Sequence, residues 1–143
     1  MTIWFDMDGT IADLYGVDGW LDMLQEENPA PYLMAEPMLN FSQFARLLHK
    51  VQRYGMEIGI ISWTSRNSSE WYEAQVAEAK MKWLADHLPS VVWDEIKIVP
   101  YGTSKIDICG GGILFDDEAR NRNAWGENAF DPHDIVEILK SLM

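Results

Sequence analysis

The sequence predicts one α/β domain, an open and mostly parallel sheet layered between helices. Three observations carry this. Four short apolar runs, each of strand length, are spread from Thr2 to Phe115. Amphipathic segments separate them, and strands that alternate with helices pair in parallel through right-handed crossovers. The chain has 143 residues, 48% of them hydrophobic, and a domain near 150 residues buries roughly 68–70% of its unfolded surface, enough for a core without disulfides or a structural metal.

Thr2 to Phe5 is the first expected strand, Glu57 to Ile61 the second, Ile96 to Val99 the third and Ile113 to Phe115 the fourth, with a weaker fifth at Asn128 to Phe130. Between the first two, Phe41, Phe44, Ala45, Leu48 and Val51 recur at helical spacing and Gly55 closes the helix. Tyr72, Val76, Ala79 and Trp83 mark a longer helix, opened by Asn67 or Ser68 and stopped before Pro89. Ala119 and Ala124 lie on a helix after the fourth strand. Asp131 and Pro132 start a last one, striped by Ile135, Ile138, Leu139 and Leu142. Residues 14–39, with Pro29, Pro31 and Pro37 among Trp20, Leu21, Leu24 and Tyr32, read as a small insertion with a short helix near Asp18 to Glu26. It is either a lid over a site or a flap packed on the sheet edge. The expected organisation is therefore one domain, 1–143, with that insertion at about 14–39.

Charge narrows the partners. Asp and Glu number 23 against 11 Lys and Arg, a formal net charge of −12, and the first 45 residues hold eight acids and no Lys or Arg. Phosphate backbones are bound by surplus base, so the balance argues against polymeric nucleic acid. No basic leader opens the sequence and no apolar run approaches the roughly 20 residues of a membrane span. The single Cys109 can form no internal disulfide, which suits a reducing, cytoplasmic setting. With no base beside it, it is expected to be a structural thiol. His49, His87 and His133 lack metal-ligand spacing. Gly110, Gly111 and Gly112 precede a strand rather than follow one, so they read as a turn and not a phosphate loop.

Ligands of open α/β sheets bind outside the carboxyl ends of the strands, and the polar residues gather there. The first strand runs into Asp6-Met7-Asp8-Gly9-Thr10, the second into Ser62-Trp63-Thr64-Ser65, and the fourth into Asp116-Asp117-Glu118. Asp6 and Asp8, two apart, are expected on one side of the ribbon, where they repel unless a cation intervenes or one is protonated. With Asp116 and Asp117 they make a hard, oxygen-rich donor set of the kind that holds Mg²⁺. Gly9 permits a sharp turn that aims backbone N–H groups at an anion. An EF-hand loop is excluded, because its sixth and twelfth positions would be Ile11 and Val17 instead of Gly and Glu.

Taken together, these motifs resemble the haloacid dehalogenase-like superfamily of phosphohydrolases, over essentially the whole chain. Ile3-Trp4-Phe5-Asp6-Met7-Asp8-Gly9-Thr10 matches the first family motif, the strand ending in Ser62 the second, Lys105 the third, and Ile113-Leu114-Phe115-Asp116-Asp117 the fourth. The resemblance implies a Rossmann-like three-layer fold with a minimal cap, and a phosphatase acting on a small phosphomonoester, a nucleotide being one candidate. It implies Asp6 as nucleophile, Asp8 as general acid and base, and Mg²⁺ held by Asp6, the Asp8 carbonyl and Asp116, with Asp117 either ligating or bracing through water. It also implies phosphate binding by Gly9, Thr10, Lys105 and either Ser62 or Thr64, with Ser62 favoured because it directly follows the apolar run. Asn121 is a second candidate for the role of Asp117. Trp20, Tyr32, Arg66 and Asn121 are candidate substrate contacts, and Arg66, Arg120 and Arg122 are candidates for recognising a second anionic group. Trp63, by contrast, is expected in the core or at the rim. Asp8 separates this pattern from the metal-free dehalogenases of the superfamily. Two other classes use the same acids: a phosphoacceptor switch, which Asp8 would undermine by speeding hydrolysis, and a silent binding module.

Overall fold

The computed structural model describes residues 1–143. Five strands form the central sheet: β1 (Thr2–Phe5), β4 (Glu57–Trp63), β5 (Glu95–Val99), β6 (Ile113–Phe115) and β7 (Ala129–Phe130). All neighbours pair in parallel, in the order β5-β4-β1-β6-β7. The sheet is thus fully parallel, and the three-layer α/β architecture read from the sequence is present. No helix is long and apolar enough to cross a membrane.

Strand pleating sorts the core into two layers. Ile3, Phe5, Ile58, Ile60, Ile113 and Phe115 point to one face, where they meet α3 (Phe41–Arg53), α7 (Ile135–Ser141) and the end of α4 (Glu70–His87). The alternate residues Trp4, Ile61 and Leu114 face the other way with Trp125, against α5 (Lys105–Cys109) and α6 (Ala119–Trp125). Gly59 stands opposite Trp4 in the β1–β4 ladder, and a Cβ there would lie 2.5 Å from the indole ring. The absent side chain is what lets that indole lie flat across the neighbouring strand. Gly112 serves backbone in the same way: at φ +94° its missing Cβ avoids the Thr2 carbonyl oxygen by a margin no side chain could meet.

Several local readings shift. The long helix is capped by Ser69, whose hydroxyl accepts from the Tyr72 amide, and not by Asn67 or Ser68. Asn67 instead takes a left-handed φ of 53° in the turn before it. β4 runs two residues further than the apolar pattern, so Ser62 and Trp63 lie within the strand.

The insertion stands on a two-stranded antiparallel stalk, β2 (Ala12–Asp13) and β3 (Glu36–Pro37). It carries two short helices, α1 (Trp20–Gln25) and α2 (Ala30–Met34). Leu14 and Tyr32 pack on Tyr72, Val76 and Ala79 of α4. Polar ties fasten the same seam: the Tyr72 hydroxyl donates to the Asn28 carbonyl (2.8 Å), the Trp83 indole N–H to the Ala35 carbonyl (2.8 Å), and Ser69 donates from N and Oγ to Glu27 (2.8 and 2.7 Å). The insertion is therefore docked along α4, with part of its apolar surface turned towards the strand ends.

Candidate active site

Connections leave β1 towards β4 on one side, while β6 lies on its other side, so the loops at their carboxyl ends diverge and open a crevice, as parallel sheets do where strand order reverses. A cleft of about 550 Å³ lies there, within the range of small-ligand pockets. Asp6, Asp8, Lys105, Asp116 and Asn121 line its floor, with Thr64 and Arg66 at the wall.

Asp6 follows β1 directly, its amide donating to the Phe115 carbonyl (2.9 Å) as if the strand continued. Both carboxylate oxygens are held: Lys105 Nζ donates to Oδ1 (3.0 Å) and Thr10 Oγ1 to Oδ2 (3.0 Å). Lys105, the first residue of α5, also donates to Asp116 Oδ2 (2.7 Å). Asp116 is fully buried and accepts further from Asn121 Nδ2 (3.1 Å) and the Glu118 amide (2.9 Å). Asn121 therefore braces Asp116 rather than Asp117. The Asp117 amide donates to Thr10 Oγ1 (3.2 Å), and its carboxylate lies where a Cβ on Gly9 would be, 2.3 Å from that position. Gly9, at φ +80°, is needed both for the turn and for this close approach.

Asp6, Asp116 and Asp117 offer ligand oxygens that all lie within 4.8 Å of one another. Such crowding shows in the proton affinities of Asp116 and Asp117. Burial, reinforced by the charge of Asp6, pushes Asp116 up to about 6 despite Lys105. Burial and Asp6 push Asp117 up to about 8. Burial works against the Lys105 ammonium, but Asp6 and Asp116 outweigh it and hold it above the ordinary lysine range.

Asp8 belongs to a different group. The sequence places it in repulsion with Asp6, yet its Oδ2 accepts from Lys80 Nζ (2.8 Å), a lysine of α4 that also donates to Ser62 Oγ (2.6 Å) and the Trp63 carbonyl (2.7 Å). The carboxylate neighbours of Asp6 at ligand distance are Asp116 and Asp117; Asp8 lies outside that group, although it still feels the charge of Asp6. Burial raises the Asp8 carboxyl above the usual range, and Lys80 only partly opposes it.

Three expectations on phosphate binding change. The Gly9 and Thr10 amides are spent on the Ala12 and Met7 carbonyls (2.9 and 3.0 Å), so neither is aimed at an anion, and the Thr10 hydroxyl serves Asp6. In the turn from Asp6 to Ala12, the amides with no hydrogen bond inside the chain are those of Met7 and Asp8, and the Asp8 carbonyl is also unused. Ser62 is buried against Lys80, away from the cleft, whereas Thr64 lines it, its hydroxyl donating to Glu73 (3.1 Å). The extra length of β4 explains this: Ser62 and Thr64 share the face towards α4, and only Thr64 reaches the strand end.

Trp20 and Tyr32 both line the cleft from the insertion. So does Trp63, which is no core residue: it pairs with Tyr101 (ring centroids 4.9 Å) and lies under Lys105 (5.1 Å) and Arg120 (5.1 Å). Arg66 rests on Tyr101 (5.8 Å), while Arg122 turns away to the Asp116 carbonyl (3.0 Å).

Lys80 was missed by motif reading although a signal existed. It sits four residues after Val76 and eight after Tyr72, on the buried stripe of its helix, and is 1% exposed. A lysine on such a stripe needs partners. Cys109 is half-buried and pushed up to about 11 by burial, as an inert thiol should be. Comparison with protein-family models and with curated proteins finds no match for this chain.

Proposed function

We propose that this protein is a Mg²⁺-dependent phosphatase of the haloacid dehalogenase-like type, acting on a small phosphomonoester through an aspartyl-phosphate on Asp6. The observation that carries the reading is the division of the four site carboxylates. Asp6, Asp116 and Asp117 crowd round one point with Lys105, while Asp8 faces the same cleft on a separate lysine. A nucleophile and a proton donor need that separation of environments.

The donor set fits a small divalent cation. With all four carboxylates ionised, the two lysine ammoniums Lys80 and Lys105 would leave two negative charges for a cation to neutralise. Hard oxygens with a net charge of that size suit Mg²⁺. Asp6, Asp116, Asp117 and the unused Asp8 carbonyl would hold it, and when bound it neutralises charge on the phosphoryl oxygens.

The chain's own groups supply the rest. An Asp6 oxygen attacks phosphorus, the bond from phosphorus to the ester oxygen breaks, and the Asp8 carboxyl gives that oxygen its proton. Water then attacks the phosphorus of the aspartyl-phosphate, its proton passes to Asp8, and the bond to Asp6 breaks to release phosphate. A raised proton affinity suits Asp8 to the first half of this cycle. Lys105 and the free amides of Met7 and Asp8 stabilise the equatorial oxygens. The aromatic walls from Trp20, Tyr32 and Trp63, with Arg66 at the rim, favour a compact substrate with a flat ring, such as a nucleotide. A lone thiol fits a cytoplasmic enzyme.

Turnover of para-nitrophenyl phosphate with Mg²⁺ tests the reading. Asp6→Asn is expected to cost more than about a thousandfold in kcat, as loss of a nucleophile does. One stable phosphorylation per chain without turnover would favour a phosphoacceptor switch, and neither outcome a binding module. A panel of phosphorylated metabolites, including 5′- and 3′-nucleotides, would then identify the substrate.

A further inference from the structure

Among the buried charged groups of the site, Lys80 is left unused by the reaction as written. Its ammonium has three N–H donors, and each has an acceptor: Asp8 Oδ2, Ser62 Oγ and the Trp63 carbonyl oxygen. The acceptors lie on two elements, the turn after β1 and strand β4. The Tyr32 ring of the insertion lies 5.3 Å from Nζ and covers the remaining side. A long side chain held at every donor has one rotamer, and whatever it grips is held with it.

What it grips is one oxygen of Asp8. Oδ2 is taken by Lys80, and Oδ1 makes no hydrogen bond within the chain, although Asp8 lines the cleft. We propose that Lys80 is a positioning residue, which fixes Asp8 through Oδ2 so that Oδ1 is the atom that exchanges the proton with the leaving oxygen and then with water. This rests on Asp8 being the proton donor proposed above. Orientation of that kind carries rate, because a carboxyl free to rotate is seldom within reach of the leaving oxygen when the bond breaks. It also gives Ser62 a role, as the acceptor that aims Lys80 rather than as a phosphate ligand.

Leaving groups that need protonation to different degrees provide the test. Lys80→Met and the wild-type enzyme are assayed with Mg²⁺ on para-nitrophenyl phosphate, whose phenolate leaves with little help, and on benzyl phosphate, whose alcohol requires a proton. The expected result is a loss in kcat/KM, which reports the ester-cleaving half of the cycle, at least about tenfold greater on benzyl phosphate, a fraction of the hundredfold or more that a positioned general acid contributes. In an Asp8→Asn background the same substitution is expected to add no further selectivity, since the group it positions has gone. Equal losses on both substrates, or selectivity that persists without Asp8, overturn the proposal while leaving the phosphatase reading intact. No turnover of either ester by the wild-type enzyme overturns both. Should Lys80→Met not fold, Ser62→Ala removes one aiming contact without touching charge. It is expected to show the same selectivity at smaller amplitude, and its absence overturns the proposal.

Discussion

Replacing Lys105 by Met removes the only cation paired with the Asp6 and Asp116 carboxylates. The side chains are 3% (Lys105), 10% (Asp6) and 0% (Asp116) exposed, so water cannot take over. At about 3 Å and an effective dielectric of about 20, each pair attracts by roughly 5–6 kcal/mol. Much of that sum only offsets the desolvation of the ammonium, which Met no longer incurs. Removing one partner of a buried pair therefore costs about 3–5 kcal/mol, most of it from the charge left behind. For a domain of this size each kcal/mol lowers Tm by about 2–4 °C, so the expected fall is about 6–20 °C. Thermal melts in EDTA near neutral pH read it directly. Two controls locate the cause. Adding Asp116→Asn to Lys105→Met should restore at least half of the loss, because the stranded charge is removed. At about pH 5 the single variant should lose less, since protons then replace the lysine. A loss below about 1 kcal/mol, or a double variant no more stable than the single one, would refute the assignment of Lys105 as counterion to this cluster.

Two further outcomes follow from the same geometry. Asp116 and Asp117 bind protons more tightly folded than unfolded. The metal-free protein should therefore be most favoured where both states are protonated, and lose stability as pH rises from about 4 through about 8. Mg²⁺ should flatten that fall; melts across pH with and without it check this, and a gain in stability of the metal-free protein over the window would refute it. Gly59→Ala sets a Cβ against a Trp4 ring that is 1% exposed and cannot swing out. Denaturant titration should show a loss of about 1–3 kcal/mol, the cost of overpacking, and a neutral result would mean that Trp4 moves.

Much of the fold was legible in one dimension because it depends on local pattern. The runs at Thr2 to Phe5 and Ile113 to Phe115 coincide with β1 and β6, and each ends where its continuous apolar stretch meets aspartates. Helices α3 and α4 were visible because each shows several turns of one apolar stripe. By contrast α2 and α5, of five residues each, are too short to display a period, and β2 and β3 exist only because the insertion folds them together.

By itself, then, the sequence determined which residues stand at the strand ends, since an apolar run, its period of two and the turn after it are properties of neighbouring residues. It named Asp6, Asp8, Lys105, Asp116 and Asp117 without saying which carboxylate answers to which lysine. That was decided only by tertiary structure. Lys105 is 99 positions from Asp6, and Lys80 is 72 from Asp8. Both pairs meet because the sheet order puts β1 between β4 and β6, bringing α4 to one side of its end and α5 to the other. The same placement moved Ser62 out of the cleft and Trp63 into it. Periodicity assigns a face to each side chain; the partner on that face is fixed by long-range packing, where electrostatic pairing and desolvation are settled.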